Sequence, residues 1–375
     1  MTAHNLGPRL EAIRESLGLS VIEASKRLGF PSYQTLRKIE AGEREVKVSE
    51  IAKFAKVYFC SISKLLGKDE IEPTYSFLWR NPPQPEPRKE IESTLFNLCE
   101  QYHMFEKLLN LRIEKGLLEV SIDDIKTNNS INSLANKYKD LFGLGNRPAF
   151  TLEKVLEQDY GVKILFYPLY HGSAACMVHS DLGGAIVINS NEAPWRCNYD
   201  LAHELFHLVT WAAISPKDLT DQSFFEEIER KADRFASMLL LPENEVRKEI
   251  SKRIESQNRL TLSDIVDIAI DFGVSAKALL YRLAYLHLTD WETADKIAKD
   301  ENLRDLSKEK RSHEWKTRPI SEHFFSLAIR CLRKGLISRG KFAEIIGIDR
   351  SEIDDFIEDK GLMEVEGSTI EIMAS

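Results

Sequence analysis

The chain has 375 residues and a formal net charge of −8, with 43% hydrophobic and 29% charged residues. Those proportions exclude a disordered or fibrous chain and suit two or three globular domains. No apolar run approaches the roughly 18 residues needed to span a bilayer, and no signal peptide opens the sequence, so neither a membrane protein nor a secreted one is expected.

The charge is unevenly spread. Residues 1–67 hold 11 Lys or Arg against 7 Asp or Glu, a surplus of four, so the remainder carries −12. A basic cap on an acidic body suits phosphate contact through one end. Residues 9–66 read as five short amphipathic helices. Leu10, Ile13 and Leu17 line the first. Ser20 caps the second, which carries Ala24 and Leu28. Gly29-Phe30-Pro31-Ser32 is a tight turn with another cap, and a third helix runs from Tyr33 to Ala41 and stops at Gly42. This is helix-turn-helix spacing, in which the second helix of the motif enters the major groove.

Asn81-Pro82-Pro83-Gln84-Pro85-Glu86-Pro87 predicts a stiff extended linker. A long helix is expected from Lys89 to Lys115, then irregular or short-helical text over 119–146, then a helix from Phe150 to Tyr160. The period then changes to two. Residues 161–167, 174–178 and 184–189 read as strands of a small sheet, whose edge could hold an extended peptide.

Residues 203–207 read His203-Glu204-Leu205-Phe206-His207 inside an apolar helical stretch. Positions i and i+4 share a helix face, so the two imidazoles can grip one metal ion. The glutamate beside the first can act on a water that the ion activates. A catalytic zinc site normally takes a third protein ligand and keeps one position open. Downstream, Phe225, Ile228, Ala232, Phe235, Ala236 and Leu239 mark one face of a helix that Pro242 stops. Glu229 borders that stripe and could close the site, with Glu226 and Glu227 as rivals. Asp233, four residues on, could accept the outward N–H of a ligating histidine or pair with Arg230 or Arg234. His171, His179 and Tyr199 are candidate donors to an oxyanion. The five cysteines, Cys60, Cys99, Cys176, Cys197 and Cys331, are odd in number and show no C-x-x-C, which reads as reduced thiols in a cytoplasm. Beyond Pro242 the text is helical to about 358.

Two resemblances follow from these residues. Asn189-Ser190, Arg196, Tyr199, Ala202 to His207, Glu229, Ala232, Phe235-Ala236, Leu239-Leu240 and Pro242 resemble the pattern of the ImmA/IrrE metallopeptidases. The resemblance implies Zn2+ as cofactor, His203, His207 and Glu229 as its ligands, and Glu204 as the catalytic acid–base. Where that family often has Gly, this chain has Phe206, expected to crowd the cleft. Where it commonly has Asn, this chain has Asp233. Arg9-Leu10, Gly18-Leu19-Ser20, Leu28-Gly29, Gln34-Thr35-Leu36, Ile39-Glu40 and Gly42 resemble the Xre/Cro-type repressor domain, which implies that Ser32, Tyr33, Gln34, Arg37 and Lys38 face DNA.

The expected fold is mainly α with a small β-sheet (α+β). It divides into a five-helix DNA-binding domain (1–67), a Pro-rich linker (68–88), a zincin-like peptidase domain (89–300) and a helical C-terminal domain (301–375). The expected function is a cytoplasmic transcriptional regulator whose zinc endopeptidase cuts a repressor or antitoxin-like partner in stress or mobile-element control, with this chain's own linker as another possible substrate. Its expected partners are an operator duplex, that protein substrate and a second copy of itself. The alternative is a non-enzymatic regulator or antitoxin whose zincin-like body senses a ligand or binds a partner.

Overall fold

The computed structural model describes residues 6–16, 19–58, 62–66, 76–80, 82–83, 85–111, 115–118, 120–170, 172–214, 219, 221–257, 259–312 and 320–359. Leu17, Cys60 and His171 lie outside them. The chain forms two units: residues 1–100 with 113–321, and residues 101–112 with 322–375.

Five helices open the first unit: α1 (Leu6–Ser16), α2 (Val21–Leu28), α3 (Tyr33–Glu40), α4 (Val48–Val57) and α5 (Ile62–Leu66). Local chemistry sets the turn between α2 and α3. The Ser20 hydroxyl accepts from the Glu23 amide, Gly29 takes φ 73°, and the Ser32 hydroxyl accepts from the Gln34 amide. A side chain at Gly29 would cost ~1–2 kcal/mol in that left-handed conformation. Leu10, Ala24, Leu28, Leu36, Ile39 and Phe54 form a small core. Arg14 is buried beside it and pairs with Glu40 at 2.7 Å.

The expected linker is not one extended element. Leu78 and Trp79 form a strand, β1 (Leu78–Trp79), and α6 (Pro85–Leu108) already begins at Pro85. Proline suits a helix's first turn, where its missing N–H has no helical partner to lose. The helix also stops short of Lys115. Asn110 turns left-handed at φ 52°, and the amides of Asn110 and Leu111 bond back to Lys107 and Glu106.

The rest of the first unit runs through α7 (Asn128–Leu141), α8 (Leu152–Gln158), β2 (Lys163–Tyr167), β3 (Ala174–His179), β4 (Gly183–Asn189), α9 (Pro194–Thr210), α10 (Gln222–Leu240), α11 (Glu243–Gln257), α12 (Leu262–Asp271), α13 (Ala276–Tyr285), α14 (Trp291–Ala298) and α15 (Glu301–Lys310). α7 is one regular helix where irregular or short-helical text was expected. Thr127 caps it, and Ile131, Leu134, Ala135 and Tyr138 bury one face. The sheet order is β1-β3-β4-β2, with β2 parallel to β4 and the other pairs antiparallel. β1 covers the edge of β3, and the Arg80 amide extends that pairing to the Ala174 carbonyl at 3.1 Å. α9 lies close on β4: a Cβ on Gly184 would come within 3.0 Å of a Leu208 methyl.

α15 packs on α12, so the first unit continues past residue 300 to Ser321. The second unit therefore starts later than residue 301 and also takes in the end of α6. It holds α16 (Glu322–Arg333), α17 (Arg339–Ile346) and α18 (Ile353–Asp359), with Phe325 packed against Phe342 and Phe356. Its turn repeats the capping of the first module. The Ser338 hydroxyl accepts from the Lys341 amide, Gly347 takes φ 80°, and Asp349 accepts from the Ser351 amide. The helix after this turn is acidic, with Asp354, Asp355 and Glu358 exposed, so charge does not suit it to a phosphate backbone. The whole is mainly helical with one small sheet, as the periodicities predict. Among the described residues no helix is long and apolar enough to cross a membrane.

Candidate metal centre

Pro194 starts α9 at a position where its fixed φ is already helical. Between the sheet and α10, the helix is buried from Asp200 to Thr210. His203 and His207 sit one turn apart on it, their Nε2 atoms 3.2 Å from each other. Glu229 of α10 closes a triangle. Its Oε2 is 3.3 Å from His203 Nε2 and its Oε1 is 3.0 Å from His207 Nε2. Corners of a tetrahedral zinc shell with bonds near 2.0–2.1 Å are roughly 3.3 Å apart, so the three donors are already spaced to hold one metal ion. The rivals point elsewhere: Glu226 accepts from Gln222 and Glu227 pairs with Lys231 at 2.6 Å, both exposed.

Glu204 is fully buried, and neither of its oxygens has a hydrogen-bond partner among the described residues. Leaving such a group unsatisfied costs ~1–3 kcal/mol or more, a cost that no partner among the described residues offsets. Burial, reinforced by Glu229 and opposed by His203, pushes its pKa up to about 8. The Cys176 thiol of β3 is driven well up by burial first and by this carboxyl next. Burial works against charge on His203, but hydrogen bonds to Asp233 and Glu229 outweigh it and raise the imidazole to about 9. Burial also opposes charge on Glu229, yet hydrogen bonds to both histidines hold it at about 2. For His207, burial prevails and lowers the pKa. A dication among these donors favours neutral imidazoles and ionised carboxylates.

Asp233 lies where a partner for a ligating histidine would stand, its Oδ1 2.9 Å from His203 Nδ1. A proton held at Nδ1 leaves the Nε2 lone pair facing His207 and Glu229. The ion-pair partner of Asp233 is neither Arg230 nor Arg234. It is Arg80, at 2.9 Å, whose other arm reaches the buried Asp200 at 2.6 Å. Arg80 also stands 4.0 Å from Glu229. Sequence reasoning missed Arg80 and Asp200. The signal for Arg80 was the apolar triplet Phe77-Leu78-Trp79 just before it, all buried.

The oxyanion candidates divide. The Tyr199 hydroxyl donates to the Asp233 carbonyl at 2.9 Å. His179 belongs to the β3–β4 turn, where its Nδ1 accepts from the Asp181 and Leu182 amides. Phe206 does not narrow a cleft. It is fully buried and packs on Phe235, ring centroids 5.6 Å apart. In the module of α1–α5, Ser32, Tyr33, Gln34, Arg37 and Lys38 are all exposed at the start and along one side of α3, with the Arg37 guanidinium 5.7 Å from the Tyr33 ring centroid.

Residues 157–284 match the family model of the IrrE N-terminal-like domain, peptidase family M78. Residues 10–65 match the helix-turn-helix family model. No curated protein matches the chain. His203, Glu204, His207, Glu229 and Asp233 all fall inside the first match, whereas Arg80 lies between the two.

Proposed function

We propose that this chain, a DNA-binding regulator carrying a peptidase-family domain, is a zinc-dependent endopeptidase that cuts a repressor or antitoxin-like partner in stress or mobile-element control. The carrying observation is the convergence of His203, His207 and Glu229 at 3.0–3.3 Å beside a buried, unpartnered Glu204. Zinc held by those three would supply a Lewis acid that polarises the attacking water and the scissile carbonyl. Glu204 takes the proton of that water at a carboxylate oxygen and returns it to the leaving amine. Asp233 holds the His203 proton at Nδ1, and Arg80 holds Asp233 in place. The module of α1–α5 would bring the protein to operator DNA through Gln34, Arg37 and Lys38 on α3, with Ser32 and Tyr33 at its start.

The sheet, whose edge strand was expected to hold an extended peptide, is bordered by β1 on one side and β2 on the other. A substrate would then pair on the outer side of β1 or displace it. Cleavage within Pro82–Pro87 is disfavoured, because the chain is helical from Pro85.

The test compares cells expressing the wild type with cells expressing Glu204→Gln, profiling new protein N-termini. The reading predicts cleavage of a DNA-binding protein in the first and not the second, while the variant keeps its zinc. Identical cleavage patterns in both would sink it.

A further inference from the structure

A cavity of about 370 Å³ opens beside Asp233. It follows α9 and α10 away from the metal centre. Tyr199 and Asp200 lie one helical turn before His203, and Asp233 lies one turn after Glu229, so the cavity begins about 5.4 Å from the candidate ligands. An extended peptide advances ~3.3 Å per residue. A side chain lodged there therefore belongs to a residue one or two positions from the scissile bond.

The polar groups of the walls are taken up by one another. Arg80 pairs with both Asp200 and Asp233. The Tyr199 hydroxyl donates to the Asp233 carbonyl at 2.9 Å, and the Ser275 hydroxyl accepts from the Ala278 amide at 3.1 Å. Arg196 pairs with Glu192 at 3.0 Å, and the Tyr281 hydroxyl donates to Asp295 at 3.1 Å. Arg80, Arg196 and Lys277 thus face Asp200, Asp233, Glu192 and Asp295, three cations against four carboxylates and close to balance. A charged side chain would give up its water there without a free counter-charge to meet.

The outer wall is aromatic. Tyr281 and Tyr285 stand one turn apart on α13, and Trp291 opens α14 beside them. The Trp291 ring lies 4.7 Å from Tyr285, edge to face, and 6.0 Å from Tyr281. The Lys277 ammonium and the Arg234 guanidinium already cover Tyr281 and Tyr285, at 5.4 and 5.1 Å from their ring centroids. Trp291 is the ring left open, 49% exposed. A further ring meeting it edge to face or offset-stacked gains beyond the area it buries.

We propose that this cavity is the subsite for an aromatic side chain of the peptide substrate, with Trp291 as the specificity-determining residue. The walls are continuous with the residues around His203 and Glu229, which makes the bound peptide the occupant. This inference rests on the peptidase reading and names the substrate class of that site.

The experiment uses zinc-loaded full-length Glu204→Gln protein and blocked pentapeptides, acetyl-Ala-Ala-Xaa-Ala-Ala-amide with Phe, Leu, Ala, Glu or Lys at the third position, titrated calorimetrically. The Phe peptide is expected to bind about tenfold more tightly than the Ala peptide, equivalent to ~1.4 kcal/mol, and about threefold more tightly than the Leu peptide. Trp291→Ala should bring the Phe and Leu peptides level, and Trp291→Phe should restore most of the preference. Equal affinities, tighter binding of the Glu or Lys peptide, no binding at millimolar concentration, or a Phe preference untouched by Trp291→Ala would each overturn the proposal. So would peptide affinity that weakens as protein concentration rises, since a second copy would then fill the cavity. Failure of the peptidase reading looks different: the wild type would cleave nothing while the Phe preference in binding persisted.

Discussion

Replacing Arg80 with Met keeps most of the side chain's stem and removes its charge. Two carboxylates lose their guanidinium, though Asp233 keeps His203 Nδ1 at 2.9 Å. Asp233 is half-exposed, so its pairing is worth about 0–1 kcal/mol after solvent screening. Asp200 is 6% exposed and bonded to Arg80 at 2.6 Å. Breaking a buried pair from one side costs ~3–5 kcal/mol, because a charge is stranded. Arg80 retains 22% side-chain exposure, which lets some water reach the gap, so the lower end, about 3 kcal/mol, is expected. With a urea slope of ~2–3 kcal/mol/M, the unfolding midpoint of the first unit should fall by roughly 1 M or more. Adding Asp200→Asn should recover most of that loss, since the stranded charge is gone. Tryptophan fluorescence follows the transition, with the m-value checked for constancy. A midpoint shift below about 0.3 M, or a double variant no better than the single one, would refute the reasoning.

Four other outcomes follow from the same geometry. Asp233→Ala should weaken zinc binding about 10–100-fold in chelator competition, because His203 loses the group that fixes its tautomer; unchanged affinity argues against that role. Phe206→Ala should cost ~3–5 kcal/mol of stability in denaturant titration without raising peptidase activity, since Phe206 fills the core against Phe235; a gain in activity would show that it crowds the site after all. Lys38→Met should weaken DNA binding evenly across sequences and lower the salt slope by about 1, whereas Gln34→Ala should relax specificity at one base pair; operator titrations at several salt concentrations separate the two. Burial opposes charge on Glu50, but its bonds to Arg44 and the Lys47 amide outweigh that and lower its pKa below the ordinary 4.5. Its contribution is therefore present above about pH 4.5 and lost as pH falls through the folded value, and an acid melting series in which Glu50→Gln loses stability in parallel with the wild type would contradict it.

The His203–His207 pair was legible because its spacing is a helix property: i and i+4 on α9 needed no tertiary knowledge. From helix periodicity alone the third candidate ligand was a choice among three acids, and only the family resemblance singled out Glu229. Glu226 and Glu227 sit on the exposed side of α10, so the identity of Glu229 depends on how that helix is rotated against α9. The role of Arg80 was not legible, although the apolar triplet before it marked a buried segment. Arg80 lies 120 and 153 residues from the acids it joins, and its neighbouring prolines masked a two-residue strand. α7 was hidden for a different reason. Its Asn- and Ser-rich surface lowers helix propensity, and packing of Ile131, Leu134 and Tyr138 overrides that. The division at Ser321 was equally invisible, because α15 joins the first unit through side chains on α12 and not through any break in composition.

The account's central claim is that two imidazoles and one carboxylate from α9 and α10 hold a single ion. X-ray absorption at the zinc edge of the purified full-length chain, with metal content measured alongside, tests it most directly. One zinc per chain, with two histidine nitrogens at about 2.0 Å, oxygen ligands completing the shell, and loss of the ion in Glu229→Gln or His207→Ala, is the predicted result. A sulfur-ligated zinc, or stoichiometric zinc that survives both substitutions, would contradict it.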